Sequence, residues 1–375
     1  MDLELGSDRE LFLETTRRFL ETECPISRVR ALHETGDGFD RDYWRKGGEL
    51  GWTSMLVSEE SGGGSVSGEG LLDLVLVAEE MGRLMSPGPL LPVNVVAETV
   101  ARCGSAAQRE TVLPGLLDGS AIATWAIDEG DGSCDALSVR LTATPAGDGW
   151  ILDGHKTFVQ DASVSDWLLV TARNGEGLTQ FLIPARYRGV TLRPLESLDL
   201  VRRFAEVEFA GAKVPDGAVV GTVGSAADDV ERQLQVALAL QNAETVGATN
   251  RVFEFTLDYA KERIAFGRPI GSYQALKHRF ADMKTWLEGC LATSTVSAKA
   301  VADGAADAPE LISVAKAYIA DRSPAIIQDC VQIHGGIGVT WEHDLHLYLR
   351  RCTQNAALYG SARQHRERLA TLLGM

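Results

Sequence analysis

The period at which apolar residues recur changes twice along this chain, and that change restricts the possible folds more than any other feature. Up to about residue 119 the spacing is three and four, in Leu11, Phe12, Thr15 and Phe19 and again through Leu71, Leu72, Leu74, Val75, Val77, Ala78 and Met81, as helices with one buried face require. The run Glu59 to Ser65 holds three consecutive glycines and reads as a loop, Pro87-Gly88-Pro89 ends the second helix, and Pro114 to Gly119 closes the region. From about 120 to 222 the pattern shifts to short alternating or β-branched runs, Ser138 to Thr144, Trp150-Ile151-Leu152 and Trp167 to Ala172. Between two of them Ala146-Gly147-Asp148-Gly149 reads as a hairpin turn, with Asp148-Gly149 supplying the positive φ angles. After about 223 the helical period returns through Val230 to Ala260, Tyr273 to Ala302, Pro309 to Ile333 and Asn355 to Leu373, four long helices that imply a bundle. The expectation is an α+β chain with a helical domain at 1–119, a β domain at 120–222 and a helical bundle at 223–375. A doubly wound parallel sheet would need strands and helices to alternate, and is excluded.

Composition narrows the function. Thirty-six Lys and Arg stand against 52 Asp and Glu, a net charge of −16, which opposes binding to nucleic acid or to anionic membrane surfaces. No stretch reaches the ~18 unbroken apolar residues of a membrane span. The acidic start Met1-Asp2-Leu3-Glu4 is unlike a secretory signal, so the expected location is cytoplasmic. The six cysteines form no CxxC pair, which removes zinc ribbons and thioredoxin-type centres and reads as reduced packing residues. His343 and His346 lack the spacing of a helical zinc pair, and no metal is expected. GxGxxG after a strand, GxxxxGK[ST] and GxSxG are all missing, so the usual signals of nucleotide-binding α/β folds and serine hydrolases are absent.

Three stretches carry more information. In Tyr259 to Gln274 one helix ends at Gly267 and Pro269 and another begins near Ser272, with Arg263 in the final turn, where a cation suits the helix dipole. Gln332-Ile333-His334-Gly335-Gly336-Ile337-Gly338 is a glycine cluster that lets another chain or a ligand approach the backbone closely. Trp125-Ala126-Ile127-Asp128-Glu129 with Gly132-Ser133, and Lys156-Thr157-Phe158-Val159-Gln160, lie in the β region.

In this order and in these domains the stretches resemble the acyl-CoA dehydrogenase family. Arg263-x-x-Phe266-Gly267-x-Pro269-Ile270 with Gln274 is similar to that family's RxxFGxPI…Q, and Gln332-x-His334-Gly335-Gly336-x-Gly338 to its QxHGGxG. The passage from Gln108-Arg109 to Leu116 and the glycine loop near 62 extend the resemblance over essentially the whole chain. It implies an acyl-CoA dehydrogenase-like flavoprotein with FAD as cofactor, assembled as a dimer of dimers, homomeric or heteromeric. An acyl-CoA thioester would be the substrate, and an electron-transfer flavoprotein or similar acceptor the redox partner. It also implies that Arg263 reaches across a subunit interface to the FAD pyrophosphate, a task suited to a planar, permanently charged, multi-donor side chain. Phe266 and Gln274 would line the same neighbouring cofactor, and the backbone of Gln332, His334, Gly335 and Gly336 would lie along its adenosine half. Trp125, Ile127, Asp128, Phe158 and Gln160 stand where the family surrounds the flavin ring. Asp128 replaces a common Thr and Phe158-Val159-Gln160 a common Trp-Ile-Thr or Trp-Ile-Ser, changes that bear on how the flavin is tuned.

The implied reaction forms a trans-2-enoyl-CoA by removing the α proton with a carboxylate while the β hydrogen leaves as hydride, so it needs a base. The family's two usual positions correspond to Gly360, after Tyr359, and Ala237, 26 residues before Arg263; neither is acidic. Glu244, about two turns or ~10 Å beyond Ala237 on roughly the same face, is the nearest candidate, either desolvated and raised in pKa or paired structurally. Three readings stay open: a competent dehydrogenase of fatty acyl or steroid side chains; a noncatalytic FAD-binding partner in a heteromeric dehydrogenase; or a flavin-dependent monooxygenase or N-hydroxylase on the same fold. The segment Thr340 to Tyr348 resembles the heteromeric actinobacterial subgroup that handles steroid and dicarboxylic acyl-CoA esters.

Overall fold

The structure is a computed structural model that describes residues 6–35, 38–130 and 138–375. The Gly132-Ser133 part of the third stretch and Cys134 lie outside the described residues.

Six helices come first: α1 (Ser7–Glu23), α2 (Ile26–Thr35), α3 (Arg41–Glu49), α4 (Gly70–Arg83), α5 (Leu90–Cys103) and α6 (Ala106–Leu117). The helical region ends within Pro114 to Gly119, as the sequence suggested: Pro114 sits inside α6, the helix stops at Leu117, and Gly119 has a positive φ. Ser105 and Gln108 form a reciprocal capping box at the start of α6. The Gln108 amide also donates to the carbonyls of Gly217 and Val219 at 3.1 and 3.0 Å, tying the helices to the sheet.

The sheet holds β1 (Ala123–Ala126), β2 (Thr142–Pro145), β3 (Gly149–Gln160), β4 (Trp167–Asn174), β5 (Gly177–Pro184), β6 (Val190–Leu195), β7 (Phe204–Pro215) and β8 (Val219–Val220). The strand order is β6-β7-β3-β2-β4-β5-β8, with β1 parallel to β4. In the middle of the sheet, on β4 and β5, both faces are buried. On β4 and β5, Leu168, Val170, Phe181 and Ile183 enter a core internal to the sheet, while Leu169, Leu178 and Leu182 join the core shared with the helices. This is why Trp167 to Ala172 reads as a nearly unbroken apolar run. The turn between β2 and β3 spans Ala146 to Gly149, with Ala146 N–H donating to the Gly149 carbonyl at 2.8 Å. Its positive φ falls on Gly147, at 68°, rather than on Asp148-Gly149.

The last region contains α7 (Ala227–Glu262), α8 (Gln274–Asp303), α9 (Ala308–His334), α10 (Leu345–Ala357) and α11 (Ala362–Leu372). The expected single helix from Asn355 to Leu373 is two, broken at Tyr359-Gly360, where both residues have positive φ. From Val236 to Thr249 every residue of α7 is buried, and the helix packs against α4, α8, α9 and α10, as expected for a helix without a solvent face. Its crossing with α4 depends on two glycines. A Cβ on Gly82 would collide with the Glu244 carbonyl, and one on Gly247 with the Glu79 carbonyl. The two backbones therefore nearly touch where Glu244 sits.

Between α7 and α8 the chain forms a small hairpin, β9 (Ile264–Ala265) and β10 (Arg268–Pro269). Helix α7 ends at Glu262, so Arg263 is not in its final turn but is the extended residue that caps it.

Candidate active site

The candidate residues form two groups. The first lies where β1 meets β3. Thr124 Oγ1 donates to the Gln160 carbonyl at 2.5 Å, and the Thr157 amide to the Asp128 carbonyl at 2.8 Å. Lys156, fully buried, donates to the Ile127 carbonyl at 3.2 Å and to Glu129 at 2.6 Å; burial pushes its pKa down to about 8. These bonds tie the end of β1, which carries Trp125 and leads to Ile127 and Asp128, to the end of β3, which carries Phe158 and Gln160. The Asp128 carboxylate accepts from the Gly130 amide at 2.7 Å. Phe158 is 45% exposed at φ 48°, a strained left-handed position of the kind found at functional sites. Trp125 is buried and stacks on Tyr359 at 5.8 Å, and its Nε1 has no hydrogen-bond partner among the described residues.

The second group lies at the ends of α7 and α9. His334 stacks on Tyr259 at 4.3 Å and meets His343 edge-on at 4.6 Å, which joins the two helix ends. Burial pushes His334 down to about 4, so it is neutral and packed. Gln332, Gly335, Gly336 and Gln274 are exposed, and a Cβ on either glycine would meet nothing within 4 Å. Arg263 is exposed. Phe266, at the tip of the hairpin, is 99% exposed at φ 53°. The hairpin that follows Arg263 thus holds an aromatic ring in full solvent on a strained backbone, and the glycine backbone after His334 is bare; exposed groups of this kind suit contact with something outside this chain.

A cleft lined by Ala78, Met81, Gly88, Leu90, Leu91, Gln160, Arg202, Leu240, Gln241 and Glu244 lies between α4, α5, α7 and the end of β3; its open volume is about 20 Å³. Glu244 is on its wall but is not free. Arg202 donates to both carboxylate oxygens at 2.7 and 2.5 Å, Arg351 to Oε1 at 2.6 Å and Asn355 to Oε2 at 2.9 Å. Burial alone would raise its pKa, but the two guanidiniums and the Asn355 amide outweigh burial and hold it at about 2. Of the two alternatives that the sequence left for Glu244, the geometry is the paired one. Arg351 also pairs with Asp199, and Asn355 Oδ1 accepts from Arg202 at 2.8 Å. Lys316, also buried, donates to the Asn355 carbonyl and to Gln241 Oε1.

The two other base positions are closed. Ala237 is fully buried. Gly360 has φ 99°, and a Cβ there would lie 2.8 Å from His365 Nε2. His365, pushed down to about 4 by burial, is neutral and donates from Nε2 to the Tyr359 carbonyl at 2.9 Å, so it builds the turn that fills this position. Sequence reasoning missed Arg202, Gln241, Lys316, Arg351, Asn355 and His365. Only Lys316 left a signal, a charge inside the apolar phase of α9.

Three domain profiles of the acyl-CoA dehydrogenase family match the chain: the N-terminal domain over residues 6–120, the middle domain over 124–211 and the C-terminal domain over 228–373. The chain belongs to the acyl-CoA dehydrogenase family. It is 32% identical to the acyl-CoA dehydrogenase IpdE2 of Mycolicibacterium smegmatis over 97% of this chain and 98% of that one. Among solved structures it superimposes on the ChsE4-ChsE5 complex from Mycobacterium tuberculosis with a TM-score of 0.89 at 28% identity, covering 100% of this chain and 99% of that one. The FAD complex of PigA gives a TM-score of 0.90 at 25% identity, covering 100% of this chain and 99% of that one. No helix among the described residues is long and apolar enough to cross a membrane.

Proposed function

We propose that this chain is an FAD-holding subunit of a heteromeric acyl-CoA dehydrogenase, in which a related subunit supplies the catalytic base. The observation that carries this reading is the state of the three base positions: Gly360 is filled by His365, Ala237 is buried, and Glu244 is shared by two arginines. A carboxylate held near pKa 2 is a poor proton acceptor at neutral pH, because basicity falls with pKa. The exposure of Arg263, Gly335 and Gly336 supports the other half of this reading.

The exposed groups fit FAD. Arg263 offers a planar donor set for a pyrophosphate. The bare backbone of Gly335 and Gly336 leaves room for the adenosine half, and Phe266 and Gln274 are exposed as well. The chemistry that FAD supplies when bound is acceptance of the β hydride of an acyl-CoA thioester, with a trans-2-enoyl-CoA as product. This chain's residues bind and orient; the proton is taken elsewhere. ChsE4-ChsE5, described as a complex of two chains, is the structural precedent for such an assembly.

The test is to purify the chain alone and together with a related chain bearing the family's Glu, and to measure flavin content and enoyl-CoA formation with an artificial electron acceptor. Expected are a flavin-poor, inactive protein alone and a yellow, active complex. A yellow, active homomer would overturn the proposal.

A further inference from the structure

The cleft beside Glu244 has a polar floor that the absence of a base does not explain. Gln241 is 1% exposed and lines the cleft. Its Oε1 faces Lys316 Nζ at 2.5 Å. An ammonium can only donate, so this contact decides the orientation of the amide: the oxygen must point to Lys316 and the NH2 away from it. That NH2 has no acceptor among the described residues. A buried donor without an acceptor is destabilising, and an apolar residue at 241 would have avoided that cost.

The hydrogen-bonded network behind the amide joins Arg202, Arg351 and Lys316 to Asp199, Glu244 and Asn355. The remaining walls near the amide, Met81, Leu90, Leu91 and Leu240, are apolar side chains that can rotate, and methionine repacks readily. The floor is pinned, because Lys316 is held at both Gln241 and Asn355.

We infer that the cleft of this subunit is a binding site for an acyl-CoA whose acyl group carries an sp2 acceptor oxygen, keto or carboxylate, and that Gln241 Nε2 is the donor that recognises it. This rests on the proposed reading of the chain as an acyl-CoA dehydrogenase subunit, and turns its cleft from a reaction site into a recognition site. Gln241 lies one helical turn, about 5.4 Å, beyond Ala237. Since Ala237 is where the resemblance places a base beside the α carbon, the oxygen belongs a few carbons further along the chain. A plain alkyl chain leaves the donor unpaired; a 5-oxo or a six-carbon ω-carboxylate group pairs it.

The experiment uses the chain in its flavin-bound assembly and titrates hexanoyl-CoA, 5-oxohexanoyl-CoA and adipyl-CoA by calorimetry. Expected is at least about tenfold tighter binding of one or both oxygenated thioesters than of hexanoyl-CoA, as loss of a hydrogen bond to a buried partner implies. A gain for adipyl-CoA alone assigns a carboxylate, and a gain for 5-oxohexanoyl-CoA alone a ketone. Gln241→Leu and Gln241→Glu should both reduce the preference to less than about twofold. The Glu variant keeps a partner for Lys316 and so guards against simple misfolding. Equal binding of all three thioesters, or a preference that survives both substitutions, overturns the inference and leaves the subunit reading intact. If none of the three binds while flavin content and partner association persist, the cleft is not an acyl-CoA site and the inference falls alone. If flavin and partner fail as well, the reading beneath it has failed.

Discussion

Replacing Glu244 by Gln removes the one anion that Arg202 and Arg351 share, and its effect can be worked out from the site. The carboxylate is 8% exposed and sits at about pKa 2 against an ordinary 4.5. That difference of about 2.5 units corresponds to ~3 kcal/mol of folding stability. The sign follows from the depression: the unfolded chain binds the proton more tightly, so the contribution is complete above pH ~4.5 and is lost as pH falls toward 2. Arg351 keeps Asp199, but Arg202 loses its carboxylate partner in a buried site, which puts the cost of substitution in the same range, about 3–5 kcal/mol. Urea unfolding of wild type and Glu244→Gln at pH 7 should therefore show a loss of roughly 3 kcal/mol, and the gap should narrow at pH 3. A variant as stable as wild type at pH 7 would refute the structural role. If enoyl-CoA formation also disappeared in that variant, Glu244 would be the base after all.

Other consequences can be checked as directly. Arg263→Ala and Arg263→Lys should each lower the ratio of flavin to protein absorbance at least severalfold without changing the unfolding midpoint, since an ammonium cannot reproduce the guanidinium fork. Gly82→Ala should destabilise by about 1–3 kcal/mol in urea, because its methyl group meets the Glu244 carbonyl. Glu79, pushed up to about 7 by burial, binds its proton more tightly folded than unfolded. Stability should therefore fall as pH rises from 4.5 to 7, and Glu79→Gln should raise Tm at pH 8 but not at pH 4. Gly360→Glu should fail to create dehydrogenase activity in the isolated chain, since the residue would need φ near 99° and would meet His365.

The helix–sheet–helix order was readable because each element buries a face, and burial imposes a period. The hairpin tip at Phe266 and the glycines after His334 were readable as motifs. The cleft was not. Arg202 and Asp199 precede β7, Glu244 is on α7, and Arg351 and Asn355 are on α10; their pairings span 42 to 153 positions. No local pattern announces such a meeting. The same holds for backbone strain: Phe158, Asp161, Phe266 and Tyr359 all have positive φ, yet none is a glycine, the residue from which sequence reading infers that conformation. The break at Tyr359-Gly360 did leave a local signal, Gly360 followed by the Ser361 to Gln364 capping box. Apolar spacing that continues across the break masked that signal, while the buried His365 that shapes the turn looks like any polar residue in a surface helix.

The hairpin between α7 and α8 and the cleft beside α4 have no side chain in common. On the proposed reading, substitutions that erase proton chemistry in one need not disturb a cofactor contact made by the other. A duplicated gene can therefore drift at positions such as 237 and 360 and still be retained for its outward-facing loop, so that two copies divide labour once performed by each.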